Sequence, residues 1–350
     1  MRRRWRDPKR FLWLLSAAMP WLVAWSLWRF AGDGQTAWLW ALPLWIHLLI
    51  PLLDVAFGED PGNPPAGAMR ALEADLWYRA LVAAYVPGQW LVTVLAAWIA
   101  ASAELSVAAW IGLALSAGAI NGVGINAAHE LGHKRARWER ALSLLALAPV
   151  AYGHFFVEHN RGHHARVATP SDPASARLGE SFWAFLPRTV SGGVRSAWGL
   201  EAARLARIGD RTWSLRNQVL QGWGLTLLLF VALTAAFGAK ALPLLLVQAA
   251  YGISLLEVVN YVEHYGLLRR EDADASRHWP PEERMDQWMG GGLDNARLAS
   301  VATYEERVPA LQALLVRVGG DLGAFHAQAR RIAALTTAAR AAELDALASQ

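Results

Sequence analysis

The chain contains no cysteine among its 350 residues. This absence excludes thiolate-bound iron–sulfur clusters, cysteine-based zinc fingers and disulfide frameworks, so any bound metal must use nitrogen and oxygen ligands. Charge is also sparse, since 18% of the residues are charged and 55% are hydrophobic. The net charge of +4 is better explained by arginine-rich loops beside a membrane than by nucleic acid, which we exclude as a partner.

Long apolar stretches predict an all-α, polytopic membrane protein. About 20 apolar residues cross a bilayer as a helix. The six predicted transmembrane helices are 11–30, 36–57, 78–100, 104–127, 217–237 and 241–262. The small residues SAGAINGVGINAA (116–128) predict close helix packing, with channel space as the alternative.

The positions of Lys and Arg predict the orientation. The chain begins MRRRWRDPKR, the connections near 31–35 and 101–104 hold no Lys or Arg, and KRARWER follows the fourth span. The positive-inside rule places both termini of this multi-pass protein in the cytoplasm. The apolar segment 141–157 is interrupted by Pro149 and Gly153, so we predict that it dips into the interface or packs beneath the bundle without crossing.

The composition changes after Arg270, where a polar, proline-containing stretch leads into an alanine-rich sequence with helical periodicity. We therefore predict a transmembrane domain over 1–270 and a soluble, cytoplasmic helical tail of different sequence character over 271–350.

Histidines cluster in the motifs HELGHK (129–134), EHNRGHH (158–164) and NYVEHYG (260–266), all on the predicted cytoplasmic side. A spacing of four residues places two imidazoles on one face of a helix, the usual way that two ligands reach one ion. Imidazole with some carboxylate suits iron, zinc, copper or nickel. The predicted metal ligands are His129, His133, His159, His163, His164 and His264.

Each motif also places a glutamate directly beside a histidine, namely Glu130, Glu158 and Glu263. Metal-bound imidazoles usually donate their second N–H to a carboxylate, so these residues are predicted to be outer partners of the ligands or to supply oxygen ligands. The alternative is a structural role in ion pairs with nearby arginines such as Arg161 and Arg166.

HELGH also matches HExxH, the motif in which two histidines bind zinc and the glutamate is the general base of a metallopeptidase. An intramembrane zinc peptidase is therefore an alternative of another class. It needs one further ligand and leaves the other two histidine motifs unexplained.

The three histidine motifs and the upstream PLLDVAFGEDPGNPPAGAMRALEADLWYR (51–79) resemble the membrane-bound alkane 1-monooxygenase family, within the fatty-acid desaturase-like di-iron membrane enzymes. The resemblance extends to about Leu268. It implies a six-helix bundle in which the six histidines hold two non-haem Fe ions. It also implies oxygen-dependent terminal hydroxylation of medium- or long-chain alkanes, with electrons from a separate rubredoxin and its rubredoxin reductase.

An alkane dissolved in the lipid bilayer would enter between helices, and Trp38, Leu42 and Trp45 are candidate lining residues of its channel. A desaturase-type reaction is an alternative to hydroxylation.

One departure from the family lies downstream, where a last histidine box that supplies three further ligands is missing. The sequence there reads PALQALLVRVGGDLGAFHAQARR (309–331), and His278 is a possible replacement ligand. Three alternatives stay open: a catalytically impaired, inactive or regulatory relative, a metal pair completed by replacement ligands, or a C-terminus replaced by a frameshift or fusion.

Overall fold

The computed structural model describes residues 7–58, 64, 68, 71–72, 74–267, 308–319, 321–333 and 335–348. The described residues form helices and connections, with no strand among them, which confirms the all-α class. They divide into two compact units. The first combines Met1–Arg166 with Leu186–Glu263, and the second combines Val167–Phe185 with His264–Gln350.

Among the described residues, the first unit contains, wholly or mostly, these helices of eight or more residues: α1 (Leu14–Asp33), α2 (Ala37–Phe57), α3 (Leu76–Ser102), α4 (Val107–Gly132), α5 (Arg137–Leu147), α6 (Phe182–Arg207), α7 (Gln218–Phe237) and α8 (Ala241–His264). Within the described residues, α2, α3, α4, α7 and α8 are long and apolar enough to cross a membrane. Helix α1 has the required length, but its tryptophans and Arg29 lower its hydropathy, so the count of six spans stays a prediction.

Side-chain caps fix where several of these helices begin. The carboxylate of Asp75 accepts a hydrogen bond from the backbone N–H of Trp77 at the start of α3. The hydroxyl of Ser106 caps α4 in the same way, and Asn217 caps α7. Such caps satisfy N–H groups that have no partner within the helix. Gly34 ends α1 in the left-handed conformation, which favours glycine.

Helix α4 packs directly against α8 through glycines. A Cβ atom on Gly118 would lie 2.6 Å from the backbone oxygen of Gln248, and one on Gly122 would lie 2.9 Å from that of Gly252. No side chain larger than hydrogen fits between the two backbones at these points. The small residues of 116–128 therefore serve close helix packing, as predicted.

After α5 ends at Leu147, the chain makes an irregular buried turn, so 141–157 does not form one long helix, and its depth in the membrane stays a prediction. Irregular backbone is tolerated at membrane depth only when protein groups satisfy its carbonyls. Four helix side chains donate to carbonyls here, two in the last turn of α5 and two in the turn that follows. The donor–acceptor pairs are Trp90 Nε1 to Leu145 O (2.9 Å), Gln89 Nε2 to Ala146 O (2.9 Å), Thr226 Oγ1 to Ala148 O (3.0 Å) and Gln248 Nε2 to Pro149 O (2.6 Å).

Gln248 connects this turn to two transmembrane helices. While its Nε2 donates to Pro149, its Oε1 accepts a hydrogen bond of 2.6 Å from Asn121 Nδ2 on α4. Asn121 Nδ2 also donates to Thr93 Oγ1 on α3, at 3.1 Å. All three side chains are buried. A continuous polar network thus runs through the apolar interior from α3 to the turn.

The second unit contains helices α9 (Val308–Arg317), α10 (Leu322–Ala333) and α11 (Thr337–Ala348). They share a small apolar core formed by Ala310, Leu314, Ile332 and Leu347. This agrees with the predicted helical character of the tail, whereas the predicted boundary at 270/271 lies outside the described residues. Elsewhere in the unit, the backbone N–H of Gly266 donates to the carbonyl of Ala176 at 2.9 Å.

Replacing Gln248 with leucine should destabilise the fold, because Pro149 O and Asn121 Nδ2 each lose a partner that no water can replace. A buried unsatisfied group costs about 1–3 kcal/mol. The midpoint of thermal unfolding in detergent micelles should fall. Gln221→Leu is the control, since Gln221 is exposed and its bond to Leu215 O can be exchanged for solvent. Equal midpoints for the two variants would contradict this account of the turn.

Candidate metal centre

Four of the predicted ligands converge on one point. His129 lies in the last turn of α4, His133 is the C-cap of that helix, and His159 and His164 come from the segment 155–166. One ring nitrogen from each histidine lies within 4.8 Å of those of the other three. The Nε2 atom of His164 lies 3.0 Å from Nε2 of His159 and 3.2 Å from Nε2 of His133. Four nitrogen donors at these separations can hold one first-row transition metal ion.

The segment 155–166, called the histidine segment below, owes this geometry to a π-helical turn at Glu158–His163. The backbone N–H of His164 donates to the carbonyl of His159, five residues earlier. In an α-helix, five residues advance by about 500°, which would leave the two side chains about 140° apart. The i→i+5 bond of a π-turn instead brings both onto one face, and such turns are frequent at functional sites.

The structure thus pairs His159 with His164, whereas α-helical spacing pairs His159 with His163. The buried His163 ring stacks on that of His159, with centroids 5.4 Å apart, and it lies outside the four-histidine group. His264 is the last residue of α8 and belongs to the second unit. The roles of His163 and His264 as ligands stay predictions, and His278 lies outside the described residues.

The imidazoles of the site are held in their neutral form. Burial lowers the pKa of His159 far below its ordinary value, and neighbouring histidines add to the effect. Burial and the same neighbours lower the pKa of His164 to about 4, and burial together with His129 lowers the pKa of His133. Because only a neutral imidazole has a lone pair to offer, the site is suited to a cation.

The three glutamates occupy different environments. The exposed carboxylate of Glu130 lies 3.7 Å from Nδ1 of His129, on the side of the ring where an outer partner is expected. Glu263 acts electrostatically on the same imidazole. Glu158 is buried and accepts a hydrogen bond of 2.8 Å from Nη2 of Arg166. Glu158 therefore forms an ion pair with an arginine, and its role as an outer partner of a metal ligand stays a prediction.

Gly162 makes room for that ion pair. A Cβ atom at this position would lie 2.5 Å from Oε2 of Glu158 and 2.6 Å from Nη2 of Arg166. The same guanidinium nitrogen donates to the hydroxyl of Ser196 on α6, at 2.5 Å. The pair therefore passes directly over the backbone of the π-turn and ties it to α6.

Sequence reasoning did not identify a second buried carboxylate beside the site, Glu257 on α8. It accepts hydrogen bonds from Tyr152 Oη (2.7 Å), Thr189 Oγ1 (3.0 Å) and Asn260 Nδ2 (3.2 Å). Burial raises the pKa of Tyr152 well above its usual range, and the nearby carboxylate adds to this effect. A glutamate seven residues before His264, within an apolar span, was the available signal, because charges inside membrane helices are costly and commonly functional.

The candidate lining residues of the substrate channel lie along α2. Leu42 is buried in the core that α2 shares with α1, α3 and α4. Trp38 is half-buried and donates from Nε1 to the carboxylate of Asp33 at 3.0 Å, and Trp45 is about half exposed at the start of a π-helical stretch, Trp45–Leu49. Contact with substrate stays a prediction for all three.

Gly162→Ala should destabilise the protein, because the added methyl overlaps both partners of the Glu158–Arg166 pair. Overpacking of this kind costs about 1–3 kcal/mol. Gly199→Ala on α6 is the matched control, since nothing lies within 4 Å of its Cβ position. That substitution in a helix interior should instead stabilise the fold by about 0.5–1 kcal/mol. Thermal unfolding in detergent compares the two, and shifts of the same sign would refute the packing argument.

Comparison with known proteins connects this geometry to a family. The fatty acid desaturase family model matches residues 104–295, which include HELGHK, EHNRGHH and NYVEHYG. A second model, described as a putative aminopeptidase, matches residues 262–344. That match does not include HELGH, the motif on which the peptidase alternative depends.

Individual relatives are similar over most of the chain. The alkane 1-monooxygenase of Acinetobacter baylyi is 42% identical over 273 residues, covering 77% of this chain and 67% of that protein. A Pseudomonas putida alkane 1-monooxygenase is 42% identical over 272 residues, with the same coverage of each chain. Alkane 1-monooxygenase 1 of Alcanivorax borkumensis is 43% identical over 265 residues, covering 76% of this chain and 66% of that protein. The chain thus spans about two thirds of the length of these relatives, and it belongs to the alkane 1-monooxygenase family of membrane oxygenases.

Proposed function

We propose that the chain hydroxylates the terminal methyl group of medium- or long-chain alkanes to give primary alcohols, at a non-haem di-iron centre. The observation that carries this proposal is the convergence of His129, His133, His159 and His164 within the stretch that matches the desaturase family model. The relatives from Acinetobacter baylyi and Pseudomonas putida bear the name alkane 1-monooxygenase.

The donor set fits iron. Neutral imidazoles suit iron among the first-row metals, and the four-histidine group provides one ion with nitrogen ligands. We assign His163 to a second ion, while the ligand role of His264 and that of His278, as a possible replacement ligand, stay predictions from the sequence. When bound, iron supplies the oxidising power that an unactivated C–H bond requires.

The protein's own groups orient and insulate this site. Glu130 Oε1 lies 3.7 Å from Nδ1 of His129, and a small approach would let it accept a hydrogen bond that fixes the ring with Nε2 toward the ion. The ring of Phe155 stacks on that of His159, with centroids 4.8 Å apart, and limits its rotation. On its outer side, His133 is exposed, which leaves one approach to the centre open.

The remaining partners follow from the same proposal. Dioxygen is the co-substrate, and rubredoxin with its reductase supplies electrons on the cytoplasmic face of the bacterial inner membrane. The alkane enters from the bilayer along α2, where Trp38, Leu42 and Trp45 lie. The second candidate function is that of an impaired relative that binds metal without turnover, which the missing last histidine box favours.

His159→Ala should remove at least one metal ion and abolish product, because His159 contributes one of the four nitrogen donors of the group and its Nε2 lies 3.0 Å from Nε2 of His164. His163→Ala should remove metal from the second position. Iron is measured by mass spectrometry on the full chain purified in detergent, beside an octane-to-octanol assay with added rubredoxin, reductase and NADH. His47→Ala is the control for metal content, since His47 contacts Tyr251 on another part of the bundle.

The possible outcomes separate the two candidates. About two iron ions per chain, together with octanol formed, would support the di-iron hydroxylase. Bound iron without product would favour the impaired relative. Unchanged iron in both His159→Ala and His163→Ala would refute the proposed ligand set.

A further inference from the structure

Helix α6 carries a carboxylate, Glu201, that is fully buried next to the histidine segment. Its Oε2 accepts hydrogen bonds from Arg161 Nη1 at 2.7 Å and from Arg204 Nε at 2.9 Å. Its Oε1 accepts from Arg204 Nη2 at 2.5 Å and from the backbone N–H of Gln218 at 2.9 Å. The carboxylate is therefore bound by two guanidinium groups and by the first residue of α7.

Arg161 is the member of this network that reaches the metal site. It lies within the π-turn, two residues after His159 and three before His164. Its second terminal nitrogen, Nη2, donates to the side-chain oxygen of Gln218. Both ends of the Arg161 guanidinium are thus fixed by α6 and α7, so the middle of the π-turn is attached to two other helices.

The register of this turn decides whether the four histidines meet. A return to α-helical register changes the direction of one histidine relative to the other by about 100° per residue of slip. An isolated π-turn is uncommon and has to be held by its surroundings. Within the segment, Asn160 Nδ2 donates to the carbonyl of Phe156 at 2.8 Å and so gives that carbonyl a side-chain partner. From outside the segment, the buried carboxylate of Glu201 on α6 forms an ion pair with Arg161 in the same turn.

We propose that Glu201 is a positioning residue, which through Arg161 holds the π-turn in the register that directs His159 and His164 at the same metal ion. This inference rests on the proposed function, because it assumes that the four-histidine group binds metal. Glu201 does not bind the metal ion itself, because it contacts Arg161, and Arg161 in turn belongs to the segment that carries the imidazoles.

The chain offers a matched pair of variants for the test. Arg161→Lys keeps the charge but cannot reach both Glu201 and Gln218 with one planar group. Arg204→Lys weakens the other arginine pair of the same carboxylate, and Arg204 belongs to α6 and not to the histidine segment. Glu201→Gln removes the charge shared by both pairs. Cobalt(II) is the probe, and its d–d absorption spectrum and dissociation constant are measured on the full chain in detergent, alongside thermal unfolding.

We expect Glu201→Gln and Arg161→Lys to weaken cobalt(II) binding about 10- to 100-fold, the usual effect of mutating residues that support metal ligands. Both substitutions should also change the d–d spectrum of the bound ion. Arg204→Lys should lower the unfolding temperature while the spectrum of the bound ion stays that of the wild type. If Glu201→Gln does not fold, Arg161→Lys with its retained charge still tests the contact.

The inference is overturned if Glu201→Gln and Arg161→Lys both keep the wild-type spectrum and dissociation constant and lose only thermal stability, as Arg204→Lys does. That result would leave the proposed function intact. A wild-type chain that binds neither cobalt(II) nor iron would overturn the proposed function and the inference together. The two failures are therefore distinguishable in one set of measurements.

Discussion

The hydrogen bond from the backbone N–H of His164 to the carbonyl of His159 is the constraint on which the candidate metal centre depends. It closes a π-turn, and only in that turn do two histidines five residues apart lie on one face. The other pair, His129 and His133, needs no such device, because a spacing of four residues already stacks two side chains at the end of α4. A regular helix end and an irregular turn together form one nitrogen-rich group.

An uncommon backbone conformation requires support, and α6 provides it from one side. Ser196 contacts Arg166, the partner of Glu158, while Glu201 contacts Arg161. Buried charges of this kind are costly unless each is paired, and paired charges fix geometry more than they add stability. Their presence behind the π-turn is therefore better explained by the geometry of the metal site than by the stability of the fold.

In the membrane part of the molecule, neutral side chains support an irregular stretch of backbone, as charged side chains support the π-turn. Irregular backbone after α5 enters the apolar interior, and amide and hydroxyl side chains from the surrounding helices satisfy its carbonyls. Glycines on α4 and α8 bring the helices close enough for these short side chains to reach. The buried turn leads directly into the histidine segment, so the packing of the transmembrane helices also determines where that segment begins.

Hydropathy determines the all-α membrane class, and the histidine spacing determines the candidate ligands. The positions of arginines give the pairing options of Glu158. Each of these properties can be determined from the sequence because it is local along the chain. The choice of His164 over His163 as partner of His159 required the tertiary structure. So did the buried position of Glu201, which with Arg204 three residues later has the sequence pattern of an exposed helical ion pair. The physical reason is that helix register and burial are set by contacts between residues far apart in sequence, such as Arg161 and Glu201, which no local pattern encodes.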